Sequence, residues 1–184
     1  MRPSIFTLVS LVFVGFFARM VPHPMNFTPI VAMALLAGVY AKPRWLALAI
    51  PFAAMFVSDL VLNNTLYAAY FEGFSFFGIW GVYAALAAVA LLPLILKATK
   101  GSSLLKLTGV GVGGATIFFL VSNLADWATY GMYPMNPAGL LACYVAGLPF
   151  FLNTLLSTLL FGSIGVAVMR AVELKFGKLQ AVRA

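Results

Sequence analysis

Six apolar runs divide the sequence, and nearly all of its positive charge falls in alternate gaps between them. The runs are Ile5–Met20, Phe27–Ala41, Trp45–Leu62, Phe76–Leu96, Leu107–Leu124 and Leu148–Met169. If each is a helix that crosses a bilayer, both chain ends lie on one side. Arg2, Lys42, Arg44, Lys97, Lys100, Lys106, Arg170, Lys175, Lys178 and Arg183 then share that side, ten of the eleven basic residues, and only Arg19 lies opposite. Cytoplasmic loops of membrane proteins carry the excess of Lys and Arg. The partition therefore predicts six transmembrane helices with both termini cytoplasmic. Five or seven spans would spoil it.

Composition agrees. Hydrophobic residues make up 64% of the 184 and charged residues 8%, with a mean hydropathy of +1.06. A soluble domain carries about a quarter charged residues, so this chain lacks the polar surface to coat a water-soluble globule. The expected fold class is all-α, a single transmembrane domain over residues 1–184 with the lipid bilayer as its solvent. The net charge of +7 does not point to nucleic acid, because the cations are scattered between apolar runs and form no basic face. The opening "MRPSIFTLVSLVFVGFFARM" resembles a signal peptide. No small-x-small cleavage site follows, so it reads as a retained first helix, with a signal anchor as the other reading.

A spanning helix needs about 20 residues. The first two runs are short, and their connection "VPHPMN" either sits below the membrane surface beside a cavity or forms a shallow loop. Backbone at that depth is tolerated only inside protein or beside water, and Pro22 and Pro24 forbid a simple helical hairpin. Between Pro137 and Pro149, "GLLACYVAGLPFF" reads as a short re-entrant or interfacial helix before the last span.

Polar groups collect at the side opposite the basic loops. Arg19, His23, Asn26, Asp59, Asn63, Asn64, Glu72, Asn123, Asp126, Trp127, Tyr130, Tyr133 and Asn136 all fall there. Ionisable groups near a bilayer core cost about 2.5–3.5 kcal/mol each and usually pair, face a bundle interior or line a cavity. Arg19 is the single cation there, so it is expected to pair with Asp59 or Asp126. In "SNLADWATYGMYPMNPAG", residues 122–139, Asn123, Asp126, Trp127 and Tyr130 recur at i, i+3, i+4 and i+7 if the helix continues, which places them on one face. An amide, a carboxylate and two aromatics so placed suit a flat, polar small molecule. The competing reading is an interfacial aromatic belt.

Other residues carry two readings each. Asp59 is either an end-cap reaching for water or, with Asn63 and Asn64, part of a polar cluster. Asn153, deep in the last run with Thr154, Ser157 and Thr158, either bonds between helices or lines a pocket floor. Cys143 is either inert packing or a ligand for a metal-bearing substrate. As the lone cysteine it makes no internal disulfide, and the redox compartment stays open. His23 is a loop residue or a ligand, and as the lone histidine it excludes a histidine-cluster metal site. The small-residue stretches "GVGVGGA" and "AALAAVA", and Ala34 with Gly38, serve close helix packing or partner docking. No nucleophile elbow and no phosphate-binding glycine loop occur, so neither an enzyme nor a bound cofactor is expected, and intramembrane catalysis is the third-ranked reading.

Taken together, "RMVPHPMNFTPIVAMALLAG", "PFAAMFVSDLVL" and "MYPMNPAGLLACYVAGLPFFLNTLLSTLLFG" resemble the small bacterial membrane proteins of the DUF6580 type. Those are grouped with substrate-binding S components of energy-coupling-factor (ECF) transporters. The resemblance implies a six-helix protein of the bacterial cytoplasmic (inner) membrane that captures a vitamin-like micronutrient at its outer face. It also implies partners: an ECF-type coupling subunit and ATPases. By the same likeness Arg19, His23, Asn26 and Phe27 match the first motif and Asp59 the second. Tyr133, Pro134, Cys143, Tyr144, Pro149, Asn153 and Thr154 match the third. One departure is the absence of an Ala-x-x-x-Ala docking surface in "SIFTLVSLVFVGFFA". The expected binding set is therefore Arg19, His23, Asn26, Asp59, Asn63, Asn123, Asp126, Trp127, Tyr130, Tyr133 and Asn153. The alternative is a six-helix scaffold of the MreD type that carries no ligand.

Overall fold

The structure is a computed structural model that describes residues 5–99 and 101–182. Arg2, Lys100, Arg183 and the side chains of Glu173, Lys175 and Lys178 lie outside the described residues. Among the described residues six α-helices follow one another: α1 (Ile5–Met20), α2 (Ile30–Tyr40), α3 (Leu46–Leu62), α4 (Trp80–Ile95), α5 (Leu104–Tyr130) and α6 (Pro137–Val182), with a 3-10 turn at Ala68–Tyr70. Among the described residues there is no strand.

The bundle is built around its shortest helix. α2 has eleven residues, eight of them buried, and it packs against α3, α4, α5 and α6. A helix that is apolar all round must be enclosed on all sides, and "IVAMALLAGVY" has no polar face to expose. At about 1.5 Å per residue it is only about 16 Å long. The loop over residues 21–29, which holds Pro22 and Pro24, is non-helical as expected. Close approach is bought with small residues: a Cβ on Gly38 would lie 2.7 Å from the Ala90 carbonyl oxygen of α4. Ala85 and Ala90 are completely buried, and Gly114 and Ala115 are buried too. These small-residue stretches therefore serve internal packing, whereas Gly109 faces open space.

α5 and α6 are long and apolar enough to cross a membrane; α2, α3 and α4 are shorter apolar helices. On α6 an exposed stripe runs Leu148, Leu152, Leu156, Leu160, Ile164 and Val168. Twenty rises of about 1.5 Å make this stripe about 30 Å long, the thickness of a bilayer's hydrocarbon core. The opposite face of the helix buries Thr154, Ser157 and Thr158.

α6 corrects the reading of its first part. The structure has one unbroken helix from Pro137, with Pro149 inside it, where two pieces were expected. Proline removes one backbone donor, but breaking a helix among apolar groups would strand several more, so continuity costs less. α5 likewise continues through Asn123 and Asp126 to Tyr130, where Gly131 closes it at φ 63°, the left-handed conformation glycine favours. Asn136 opens α6 by accepting a hydrogen bond from the Gly139 amide at 2.9 Å.

The ends of the bundle differ chemically. At one, Arg170 donates to the Ser102 carbonyl (3.0 Å), Lys106 to that of Lys97 (3.2 Å) and Arg44 to that of Gly38 (3.2 Å). This basic end carries the α2–α3 and α4–α5 loops. The other end carries the polar residues described next.

Candidate functional site

At the polar end the sequence places Arg19 in the last turn of α1 and Asp59 in the last turn of α3. These two helices pack together, and the guanidinium lies 2.7 Å from Asp59 Oδ1. Asp59 is 2% exposed, so the charge must be met by the protein. Arg19 also donates to the Ser58 hydroxyl and to the Met55 carbonyl. The second carboxylate oxygen accepts from the Tyr83 hydroxyl of α4 (2.7 Å) and from the Gly78 amide (3.2 Å). Every strong partner Asp59 needs is present, so the group acts as a knot that joins α1, α3, α4 and the loop before α4. Gly78 is required by proximity: a Cβ there would lie 2.6 Å from Asp59 Oδ2.

The second acid has a different environment. On α4, Tyr83 faces Asp59 while Gly81 faces α5, where a Cβ would collide with Ala125. α4 therefore stands between Asp59 and α5, and Asp126 lies beyond it. Asp126 is half-buried on the side of α5 that meets α6, within electrostatic reach of the Cys143 thiol and the Tyr130 hydroxyl. Its Oδ1 is buried without a hydrogen-bond partner. Around it Cys143 Sγ donates to the Asn123 carbonyl at 3.5 Å, and Trp127 Nε1 donates to the Pro134 carbonyl at 3.0 Å. Tyr144 donates to the Leu120 carbonyl at 2.9 Å. The frame thus encloses a carboxylate oxygen and gives it no donor.

A family model matches the chain over residues 1–181. The chain belongs to DUF6580, a family of unknown function. No curated protein and no solved structure matches it.

In this DUF6580 protein the residues expected to form one site fall into three groups, with Asn63 apart from them. Arg19 and Asp59 form the knot; of the two acids considered for Arg19, the partner is Asp59. Asn123, Asp126, Trp127 and Tyr130 lie together on α5, next to Cys143 of α6, with Tyr133 half-buried in the following loop. The third group is the α1–α2 loop: Asn153 reaches from α6 to donate to the Met25 carbonyl at 2.9 Å. In that loop His23 Nδ1 lies 2.5 Å from the Val21 carbonyl oxygen, and Asn26 is exposed at φ 62°. Asn63 caps α3, 5% exposed, with its amide nitrogen unpartnered, and Asn64 braces the following loop through Ser75. Glu72 is exposed.

Sequence reasoning about the DUF6580 chain missed Ser58, Gly78 and Tyr83. Tyr83 had a signal: apart from Trp80, it is the sole polar-tipped side chain in the greasy segment "WGVYAALAAVALLPLI". Gly78 had none, because its role depends on where Asp59 arrives. Among the described residues, no three His, Cys, Asp or Glu side chains gather as a metal site.

Proposed function

We propose that this DUF6580 protein is a multi-pass protein of the bacterial inner membrane. In this reading it binds a small polar molecule at its polar, extracytoplasmic end and serves its uptake. All six helices cross the bilayer, the shorter ones helped by the loops that continue them, and the basic end faces the cytoplasm. The observation that carries the binding reading is the contrast between the two acids. Asp59 is saturated by Arg19, Tyr83 and Gly78, whereas Asp126 keeps an oxygen buried and unpartnered beside Asn123, Trp127 and Cys143. A buried polar group without a partner costs about 1–3 kcal/mol, and ionisable residues kept inside membrane segments mark substrate paths by default.

This reading narrows the expected site. Asn123, Asp126, Trp127 and Tyr130, with Tyr133 at the rim, form the wall. The preferred ligand carries a hydrogen-bond donor or a positive charge for Asp126 and a flat portion for the aromatics. Arg19 and Asp59 are structural. The chain shows no phosphate-binding glycine loop, so energy comes from ECF-type partners or from the ligand's own gradient, and the protein itself performs no catalysis.

A ligand-free scaffold of the MreD type is the second reading. It is favoured by the same self-satisfied knot, which needs no ligand to account for two of the four charged groups at this end. Purification in mild detergent separates the two. Binding predicts a small molecule released on denaturation and detected by mass spectrometry. Scaffolding predicts no such molecule, with wall-synthesis proteins retained instead.

A further inference from the structure

We infer a second site, for one anionic phospholipid, in a crevice between α2, α5 and α6 at the basic end. The crevice encloses about 50 Å³ and is lined by Leu36, Tyr40, Thr108, Gly111, Thr158 and Gly162 among others. Pockets for drug-sized molecules occupy roughly 300–1,000 Å³, so this one does not suit a vitamin-sized solute. The crevice is half open, so an acyl chain would lie along it as in a trough, with its other side against the bilayer. Thr158, Gly162, Val166 and Arg170 succeed one another at four-residue intervals on α6, and the first three line the crevice. From Arg170 to Thr158 is about 18 Å at 1.5 Å per residue. That is close to the ~15 Å depth of one leaflet's hydrocarbon. Thr158, at the deep end, is itself buried.

The mouth supplies the charge. Each of the three walls ends in a cation. Arg44 lies in the α2–α3 loop four residues past Tyr40, Lys106 lies between the lining residues Leu104 and Leu107, and Arg170 lies one turn past Val166. None forms an ion pair with a described carboxylate; each meets a backbone carbonyl instead. An apolar trough one leaflet deep, with three cations at its opening, complements an acyl chain under a phosphate. Basic pockets between helices on the cytoplasmic side hold anionic headgroups in this way. The site is separate from the Asp126 wall at the other end of the bundle.

Native mass spectrometry of the full-length protein, with phosphatidylglycerol or phosphatidylcholine of matched chains added, tests the assignment. One phosphatidylglycerol should be retained, at least about tenfold more tightly than phosphatidylcholine. Arg44→Gln and Lys106→Gln, both on exposed side chains, should each weaken phosphatidylglycerol about fivefold and leave phosphatidylcholine unchanged. Gly162→Leu, whose Cβ would have no atom within 4 Å and whose side chain would fill the crevice, should remove both lipids while the protein melts as the wild type does. Equal retention of the two lipids overturns the assignment. So does phosphatidylglycerol binding indifferent to all three changes, or a lipid-free dimer that occludes the crevice.

Discussion

Arg19 and Asp59 lie 40 positions apart in sequence and 2.7 Å apart in space, at the ends of two helices that meet only there as charges. Their side chains are 15% and 2% exposed. Removing one partner of a buried pair leaves the other uncompensated, at a cost of about 3–5 kcal/mol. Asp59→Ala should therefore lower the melting temperature in detergent sharply. The double replacement Arg19→Met with Asp59→Leu should recover much of the loss, because apolar residues of similar volume often replace such pairs without penalty.

Tyr83 and Gly78 act through the same carboxylate. Tyr83→Phe deletes one hydrogen bond to a charged group and should cost about 1.5–3 kcal/mol. Gly78→Ala drives a methyl against Asp59 Oδ2 and should also destabilise. Thermal unfolding of Asp59→Leu with and without Tyr83→Phe separates the shared term: in that background the Tyr83 change should matter little. Undiminished cost there would mean that Tyr83 works through other contacts.

Asp126 should respond in the opposite sense. Its unpartnered oxygen contributes no stability, so Asp126→Asn should melt at or above the wild-type temperature in ligand-free protein. A loss comparable to that of Asp59→Ala would assign it a structural role.

The membrane topology can be read by thiol labelling. Cys143 is 4% exposed and gives little background. Phe74→Cys, on an exposed residue in the α3–α4 loop, should react with an impermeant maleimide on intact spheroplasts. Ser102→Cys, in the α4–α5 loop, should react only after permeabilisation. Labelling of both from one side would contradict the six-span arrangement.

Much of the fold is legible in the sequence, because polar punctuation marks where apolar runs stop. The run Ile5–Met20 is helix α1, and the run Trp45–Leu62 differs from α3 by one residue. The ends of α5 and the start of α6 are not legible for a physical reason. Polar residues that face a neighbouring helix look like a loop when read along the chain, as Asp126 does, and Pro149 looks like a break. Arg19 was visible as the lone cation needing an acid. The choice between Asp59 and Asp126 depends on α4, which presents Tyr83 to one and Gly81 to the helix that bears the other. That rotation belongs to packing and has no local signature.

The most direct test of the binding account is the small-molecule content of purified protein, compared between wild type, Asp126→Asn and Trp127→Ala. The account predicts one solute, near one per chain, released by denatured wild type and absent from both variants, while neither variant melts below wild type stripped of the solute. The same content in all three, or no solute in the wild type, would contradict it.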